Sequence, residues 1–241
     1  SDYLHQTYTN QSIKVVIAFD CRHNSKSFAK IVADVFSANG IEVFLFEDLR
    51  ATPELSFALK HLGCQCGIVL TASHNPPEYN GYKVYWEDGG QLVPPFDGEI
   101  INLINSLEYT DINFSSKEEL IHLIGKDVDD VFINAAVKNG SLKVNTAASR
   151  ENLSVVFTAL HGTSITAVPE TLKRAGYTNV HLVEEQSVPD GDFPTVKSPN
   201  PEEPEALKIA LELAENVGAD IVIGTDPDCD RLGIAVRDYD N

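Results

Sequence analysis

Three aspartates alternate along Asp226-Pro227-Asp228-Cys229-Asp230-Arg231, directly after a short apolar run. Carboxylates this close repel one another unless a cation neutralises them, so Asp226, Asp228 and Asp230 are candidate ligands of a divalent metal ion. An EF-hand is excluded, because its glycine and glutamate positions would fall on Arg231 and Arg237. Mg²⁺ suits the set better than Ca²⁺, since three carboxylates leave coordination positions open for water or phosphate. A solvated acidic turn is the alternative interpretation.

A second polar segment, Thr71-Ala72-Ser73-His74-Asn75-Pro76-Pro77, also follows an apolar run. Its prolines favour a turn that presents the hydroxyl of Ser73 as a candidate nucleophile, although serine in a polar turn is also ordinary loop chemistry. Lys83, in Asn80-Gly81-Tyr82-Lys83, begins an aromatic run. It is either a solvated edge residue or a group that binds phosphate or transfers a proton. Arg22 follows the first apolar run and is a weaker candidate for phosphate binding, because only its position argues for it.

The elements that must position these residues follow from the pattern of apolar side chains. Short apolar runs predict strands, and stretches with apolar residues at helical spacing predict the helices between them. Strands are predicted at 14–19, 41–46, 67–70, 154–158, 180–183, 221–223 and 232–236, and helices at 25–39, 52–62, 164–175 and 202–217, with helices and turns over 94–140. The proline-rich segment 190–204 is predicted to be an ordered loop, with a linker as the alternative.

This alternation predicts an α/β fold: two three-layer α/β/α domains with mainly parallel, mixed sheets. Domain one is expected over residues 1–149 and domain two over 150–241. Ligands of such sheets bind beyond the carboxyl ends of the strands, which is where Arg22, Ser73 and Asp226 fall. The sequence therefore predicts that these residues lie in a ligand-binding site.

Composition limits the partners that such a site could have. The 241 residues include 36 acidic and 18 basic side chains, a formal net charge of −18, which disfavours nucleic acids and anionic membranes. No run approaches the length of a membrane helix, and the first residues lack the pattern of a signal peptide. The four cysteines match neither a redox motif nor a zinc knuckle, so reduced thiols in a cytoplasmic protein are expected. Methionine is absent even at position 1, which suggests a piece of a longer protein.

Together these segments resemble the α-D-phosphohexomutase family, the phosphoglucomutases and phosphomannomutases. Thr71 to Pro76 is similar to its phosphoserine loop, and Asp226 to Arg231 to its metal loop, with Cys229 where a small residue is common. The resemblance also takes in Asn80 to Lys83, the Leu160-His161-Gly162-Thr163 turn, and the segment from Phe193 to Pro201. It therefore covers nearly the whole chain.

The resemblance implies a mechanism. Ser73 would donate a phosphoryl group to a hexose phosphate, give a hexose 1,6-bisphosphate, and recover a phosphoryl group from the other end. Mg²⁺ would be held by Asp226, Asp228, Asp230 and an oxygen of the Ser73 phosphate. Arg231 would bind phosphate oxygens, Lys83 would act as general acid or base with His74 as a weaker candidate, and Arg22 would add positive charge near the phosphoserine.

The sequence also departs from the family. Its third-domain sugar loop and fourth-domain phosphate loop do not occur here, so the chain resembles a catalytic half whose partners are the C-terminal domains of the same protein. The isolated chain is expected to be inactive as a mutase. Two alternatives remain: a haloacid-dehalogenase-like phosphatase with Asp226 as nucleophile, and a metal-binding module without activity.

Overall fold

The computed structural model describes residues 1–140 and 147–238. The chain divides into two compact units. The first comprises residues 1–19, 24–71 and 81–126, and the second comprises 20–23, 72–80 and the chain from 127 onward. The loops at 20–23 and 72–80, which carry Arg22 and Ser73, therefore belong to the second unit together with the three aspartates.

The first unit alternates strands and helices along the chain. Its elements are, in order, α1 (Asp2–Thr7), β1 (Lys14–Phe19), α2 (Ser25–Ala38), β2 (Glu42–Phe46), α3 (Thr52–Leu62), β3 (Cys66–Leu70), β4 (Tyr82–Trp86), α4 (Phe96–Asn105) and β5 (Ile121–Ile124), with 3-10 turns at Tyr109–Asp111 and Glu118–Leu120. The strands form one sheet in the order β4-β3-β1-β2-β5, parallel except where β4 pairs antiparallel with β3.

Both faces of this sheet are covered, as the apolar strands require. On one face Val15 and Ile17 of β1 pack in a core that includes Ala29 and Ala33 of α2. On the other face α3 lies so close to β3 that a Cβ on Gly67 would stand 2.8 Å from a methyl carbon of Leu59. The small residue at 67 is therefore needed for α3 to pack.

The second unit repeats this alternation. Its elements are α5 (Lys126–Asn139), which starts at the last residue of the first unit, α6 (Ala147–Asn152), β6 (Val155–Thr158), α7 (Val168–Arg174), β7 (Val180–Leu182), α8 (Lys208–Val217), β8 (Ile221–Thr225) and β9 (Leu232–Val236), with 3-10 turns at Thr163–Thr166 and Glu184–Gln186. The sheet order is β7-β6-β8-β9, and of the pairs described in this sheet only β8–β9 is antiparallel. Ala210 of α8 packs on Val156 and Val222. No helix of the described ranges is both long and apolar enough to cross a bilayer.

The predicted α/β class with mixed sheets is confirmed, but several elements differ from the prediction, two of them with a clear physical reason. The segment 94–140, predicted as helices and turns, contains β5, which pairs in parallel with β2. Only four residues form this edge strand, and His122 and Leu123 are exposed, so the segment lacks a buried-strand pattern. The helix predicted from 202 begins at Lys208 instead, because the residue before a proline disfavours the helical conformation and the chain forms turns there. The amides of Ala206, Leu207 and Lys208 each donate to the carbonyl three residues back.

The cysteines form no disulfide, as expected for reduced thiols. Cys64 and Cys66 are buried, and Cys21 and Cys229 are partly buried. Burial raises the pKa of each of these thiols to about 12. They are therefore poor nucleophiles and poor metal ligands at neutral pH.

Candidate active site

The segment from Asp226 to Arg231 is the loop of a β-hairpin. Strands β8 and β9 pair with Thr225 opposite Leu232, so this loop reverses the chain. Asp226 holds the turn: its carbonyl accepts a hydrogen bond from the Cys229 amide, and its Oδ1 accepts one from the Arg231 amide, both at 2.9 Å. Cys229 adopts a left-handed backbone, with φ of 60°, which non-glycine residues seldom do. This tight turn brings the aspartates together.

One oxygen from each of Asp226, Asp228 and Asp230 lies within 4.8 Å of the other two. Asp226 and Asp228 are fully buried, whereas Asp230 is exposed. Burial and the neighbouring Asp228 charge raise the pKa of Asp226 to about 7. A bound cation would remove this repulsion, and an all-oxygen donor set of this kind suits a hard divalent ion. The residues present therefore fit a metal site of the type predicted.

Ser73 lies against the same carboxylates. It follows β3 in a left-handed conformation, with φ of 54°, and its Oγ donates a hydrogen bond of 2.6 Å to Oδ2 of Asp226. Strained backbone at a non-glycine residue is often found at functional positions. The structure thus brings together Ser73 and Asp226, which are 153 residues apart in the chain.

Arg22 holds the loop that carries Ser73. Its buried guanidinium donates from Nη2 to the carbonyls of Ser73 (2.7 Å) and Asn75, and from Nη1 to the carbonyls of Pro76 (2.8 Å) and Tyr79 (3.0 Å). Nε lies 3.3 Å from Oδ2 of Asp20, as a charge contact without hydrogen-bond geometry. Burial lowers the pKa of Arg22, which the charge of Asp20 opposes. These contacts make Arg22 a positioning group for the loop.

The other predicted site residues are His74, Arg231 and Lys83. His74 Nδ1 is 3.2 Å from Ser73 Oγ, and burial together with the Arg231 charge lowers the pKa of His74. Arg231 is exposed and lies 3.6 Å from Glu202 in an ion pair. Lys83 belongs to the first unit, where it is half-buried on β4 opposite Val69. The second unit thus unites all the predicted site residues except Lys83.

Two residues beside these loops had no predicted role. Phe193, fully buried with φ of 47°, places its ring 5.0 Å from the Arg22 guanidinium. Thr163 donates hydrogen bonds to the carbonyl of Pro227, within the aspartate loop. Both fall in segments on which the resemblance depends. Their contacts cross long stretches of chain, so spacing alone could not identify them.

Two family models together match most of the chain. Residues 1–111 match the model "Phosphoglucomutase/phosphomannomutase, alpha/beta/alpha domain I", and residues 130–239 match the model for domain II of the same family. The chain belongs to the phosphoglucomutase/phosphomannomutase family. This confirms the resemblance. Ser73 lies within the match to domain I, and the three aspartates lie within the match to domain II.

Individual members of the phosphoglucomutase/phosphomannomutase family agree with this assignment. A phosphoglucomutase of Staphylococcus epidermidis is 42% identical over 230 residues, 93% of this chain and 41% of that protein. One from Staphylococcus aureus strain MRSA252 is 42% identical over 240 residues, 98% of this chain and 42% of that protein. A solved family protein from Burkholderia thailandensis superposes with a TM-score of 0.73 at 25% identity, over 97% of this chain and 48% of that one. The chain thus spans less than half the length of these relatives.

Proposed function

We propose that this chain is the catalytic half of a phosphohexomutase, which moves a phosphoryl group between the 1 and 6 positions of a hexose phosphate. The observation that carries the proposal is the 2.6 Å hydrogen bond from Ser73 Oγ to Asp226 Oδ2. It joins the candidate phosphoryl carrier to the candidate metal site. Similarity to phosphoglucomutases supports the reaction class.

Ser73 is the proposed phosphoryl carrier. During transfer its Oγ–P bond breaks while a bond forms between phosphorus and a sugar hydroxyl oxygen, whose proton passes to a base; the product is a hexose 1,6-bisphosphate. Asp226, Asp228 and Asp230 would hold Mg²⁺ together with an oxygen of the Ser73 phosphate. When bound, Mg²⁺ supplies charge stabilisation to the transferring group.

His74 and Lys83 are the candidates for moving the proton of the sugar hydroxyl. The lowered pKa of His74 favours its neutral form, which can accept a proton beside Ser73. Lys83, near the start of β4, would exchange a proton with the sugar hydroxyl. Arg22 adds positive charge behind Ser73, and the exposed Arg231 guanidinium would bind phosphate oxygens in a fork.

The proposal includes partners and location. The greater length of the relatives supports further domains of the same protein as the part that grips the sugar. The net charge of −18 favours a small phosphosugar over nucleic acids or anionic membranes. A cytoplasmic location is consistent with cysteines that form no disulfide. The boundary between the two domains is proposed at residues 149 and 150.

The direct test is turnover of glucose 1-phosphate in the full-length protein, with Mg²⁺ and glucose 1,6-bisphosphate present. Ser73→Ala should reduce turnover to the background rate, because no other group carries the phosphoryl. Ser187→Ala is the matched control, since the exposed Ser187 hydroxyl donates its hydrogen bond to the nearby carbonyl of Glu184. Retention of more than about a tenth of the wild-type rate by Ser73→Ala would contradict the proposal.

An aspartyl phosphatase is the second candidate, because Asp226 and Asp228 follow β8 with D-x-D spacing. In that case Asp226 would become phosphorylated, and Ser73→Ala would leave hydrolysis of para-nitrophenyl phosphate intact. A metal-binding module without activity would bind Mg²⁺ and carry no phosphorylated residue. The hydrogen bond from Ser73 to Asp226 favours the mutase over the phosphatase and over the inactive metal-binding module.

A further inference from the structure

The turn from Leu160 to Thr163 has no part in the proposed chemistry, yet it is unusually constrained. It follows β6, is buried, and contains two consecutive non-glycine residues in the left-handed region, Leu160 (φ 45°) and His161 (φ 61°). Side chains disfavour this conformation, so the surrounding contacts must hold it.

The turn contacts the aspartate loop at Pro227, the residue between Asp226 and Asp228. Both the amide and Oγ1 of Thr163 donate to the carbonyl oxygen of Pro227, at 2.8 and 2.9 Å. The backbone of Gly162 passes so close that a Cβ there would stand 2.4 Å from Pro227 Cα and 2.6 Å from its carbonyl oxygen. Only glycine allows this approach.

A buried polar network supports the other end of the turn. Gln186 donates to Oγ1 of Thr195 (2.9 Å), and His161 Nε2 is also 2.9 Å from that oxygen. Oε1 of Gln186 accepts a hydrogen bond from the Thr158 hydroxyl (2.6 Å), and Oγ1 of Thr158 accepts one from the Leu160 amide. The turn is therefore anchored on both sides and can hold Pro227 in place.

We propose that the Leu160–Thr163 turn is the positioning element of the metal loop, with Thr163 as its positioning residue. The proposal rests on the proposed function, because it takes Asp226 and Asp228 as the metal ligands. The Pro227 carbonyl lies in the peptide plane that joins Pro227 to Asp228, so fixing it fixes the backbone from which the Asp228 carboxylate projects. The close approach of Gly162 to Pro227 Cα restrains the backbone next to Asp226. Groups behind metal ligands commonly change metal affinity 10–100-fold when they are removed.

The test compares four variants of the chain. Thr163→Val keeps the side-chain shape and removes the hydroxyl donor, whereas Thr163→Ser restores it. Thr166→Val is the matched control, because the Thr166 hydroxyl donates to the carbonyl of Thr163, outside the metal loop. Gly162→Ala is a second probe, since its methyl group would push directly against Pro227.

Two measurements separate this proposal from the proposed function. In the metal-free chain, exchange of the Cys229 and Arg231 amide hydrogens should accelerate about tenfold or more in Thr163→Val and stay near wild type in Thr163→Ser and Thr166→Val. With Mn²⁺ as a spin probe, Thr163→Val should bind about 10–100-fold more weakly. Unchanged exchange in Thr163→Val, or equal acceleration in Thr166→Val, would overturn the positioning role. Failure of the wild-type chain to bind Mn²⁺ or Mg²⁺ would instead count against the proposed metal site.

Discussion

Arg22→Met should destabilise the second unit strongly, because Arg22 is both a counter-charge and a hydrogen-bond hub. The Arg22 and Asp20 side chains are fully buried, 3.3 Å apart. Removing the guanidinium leaves the Asp20 carboxylate without that counter-charge. It also takes away the donors to four carbonyls of the segment from Ser73 to Tyr79. Methionine keeps an apolar contact with Phe193, so the loss is chiefly electrostatic.

The magnitude follows from the burial of the pair. Breaking one partner of a buried ion pair costs about 3–5 kcal/mol. At about 2–4 °C per kcal/mol for a chain of this size, the transition of the second unit should fall by about 6–20 °C. Adding Asp20→Asn should recover part of this loss, because the amide needs no counter-charge and can still accept the hydrogen bond of the Arg22 main-chain amide.

Differential scanning calorimetry of the metal-free chain measures this effect. Arg231→Met is the control, since Arg231 is 41% exposed and its ion pair with Glu202 should contribute little. A transition within about 2 °C of wild type for Arg22→Met, or no greater loss than in Arg231→Met, would refute the reasoning about Arg22.

Three further predictions follow from the site. Asp228→Asn should weaken Mg²⁺ binding in calorimetric titration yet raise the metal-free Tm by about 2–4 °C, because it removes one of two buried, repelling carboxylates. The control Asp230→Asn, at an exposed position, should leave the metal-free Tm unchanged. An unchanged Mg²⁺ affinity in Asp228→Asn would mean that the three aspartates form only an acidic turn. At pH 8 the cysteines should resist a thiol-reactive disulfide in the native chain and react in guanidinium, because pKa values near 12 leave about one thiolate in 10⁴; rapid native reaction would contradict the burial. The isolated chain should not interconvert glucose 1-phosphate and glucose 6-phosphate at a useful rate, since positioning of the sugar accounts for about 7–11 kcal/mol of such a barrier; turnover equal to that of the full-length protein would disprove the half-enzyme proposal.

Much of the fold was predictable because its signals are local. The run from Lys14 to Phe19 is apolar throughout and forms β1 at the predicted bounds. The edge strand β5 escaped prediction because half of its four residues are exposed. The predicted start of α8 was wrong because the apolar periodicity extends into a segment where prolines favour turns.

The site was predictable as loops but not as contacts. The rule that ligands bind beyond the carboxyl ends of strands selected the loops of Ser73, Arg22 and Asp226. Two hydrogen bonds, from Ser73 to Asp226 and from Thr163 to the Pro227 carbonyl, join residues far apart in the chain. The spacing of residues in the sequence therefore does not encode them. Arg22 was predicted to bind phosphate and to add positive charge near Ser73, but not to position the loop, because hydrogen bonds to main-chain carbonyls leave no sequence pattern.

The central claim is that Ser73 carries the phosphoryl group. Its most direct test is phosphopeptide mapping by mass spectrometry after the full-length protein is incubated with glucose 1,6-bisphosphate and Mg²⁺. A parallel sample is reduced with borohydride, which converts any aspartyl phosphate to homoserine. The account predicts phosphate on Ser73 and no homoserine at position 226. Homoserine at position 226, or no phosphate on Ser73, would contradict it.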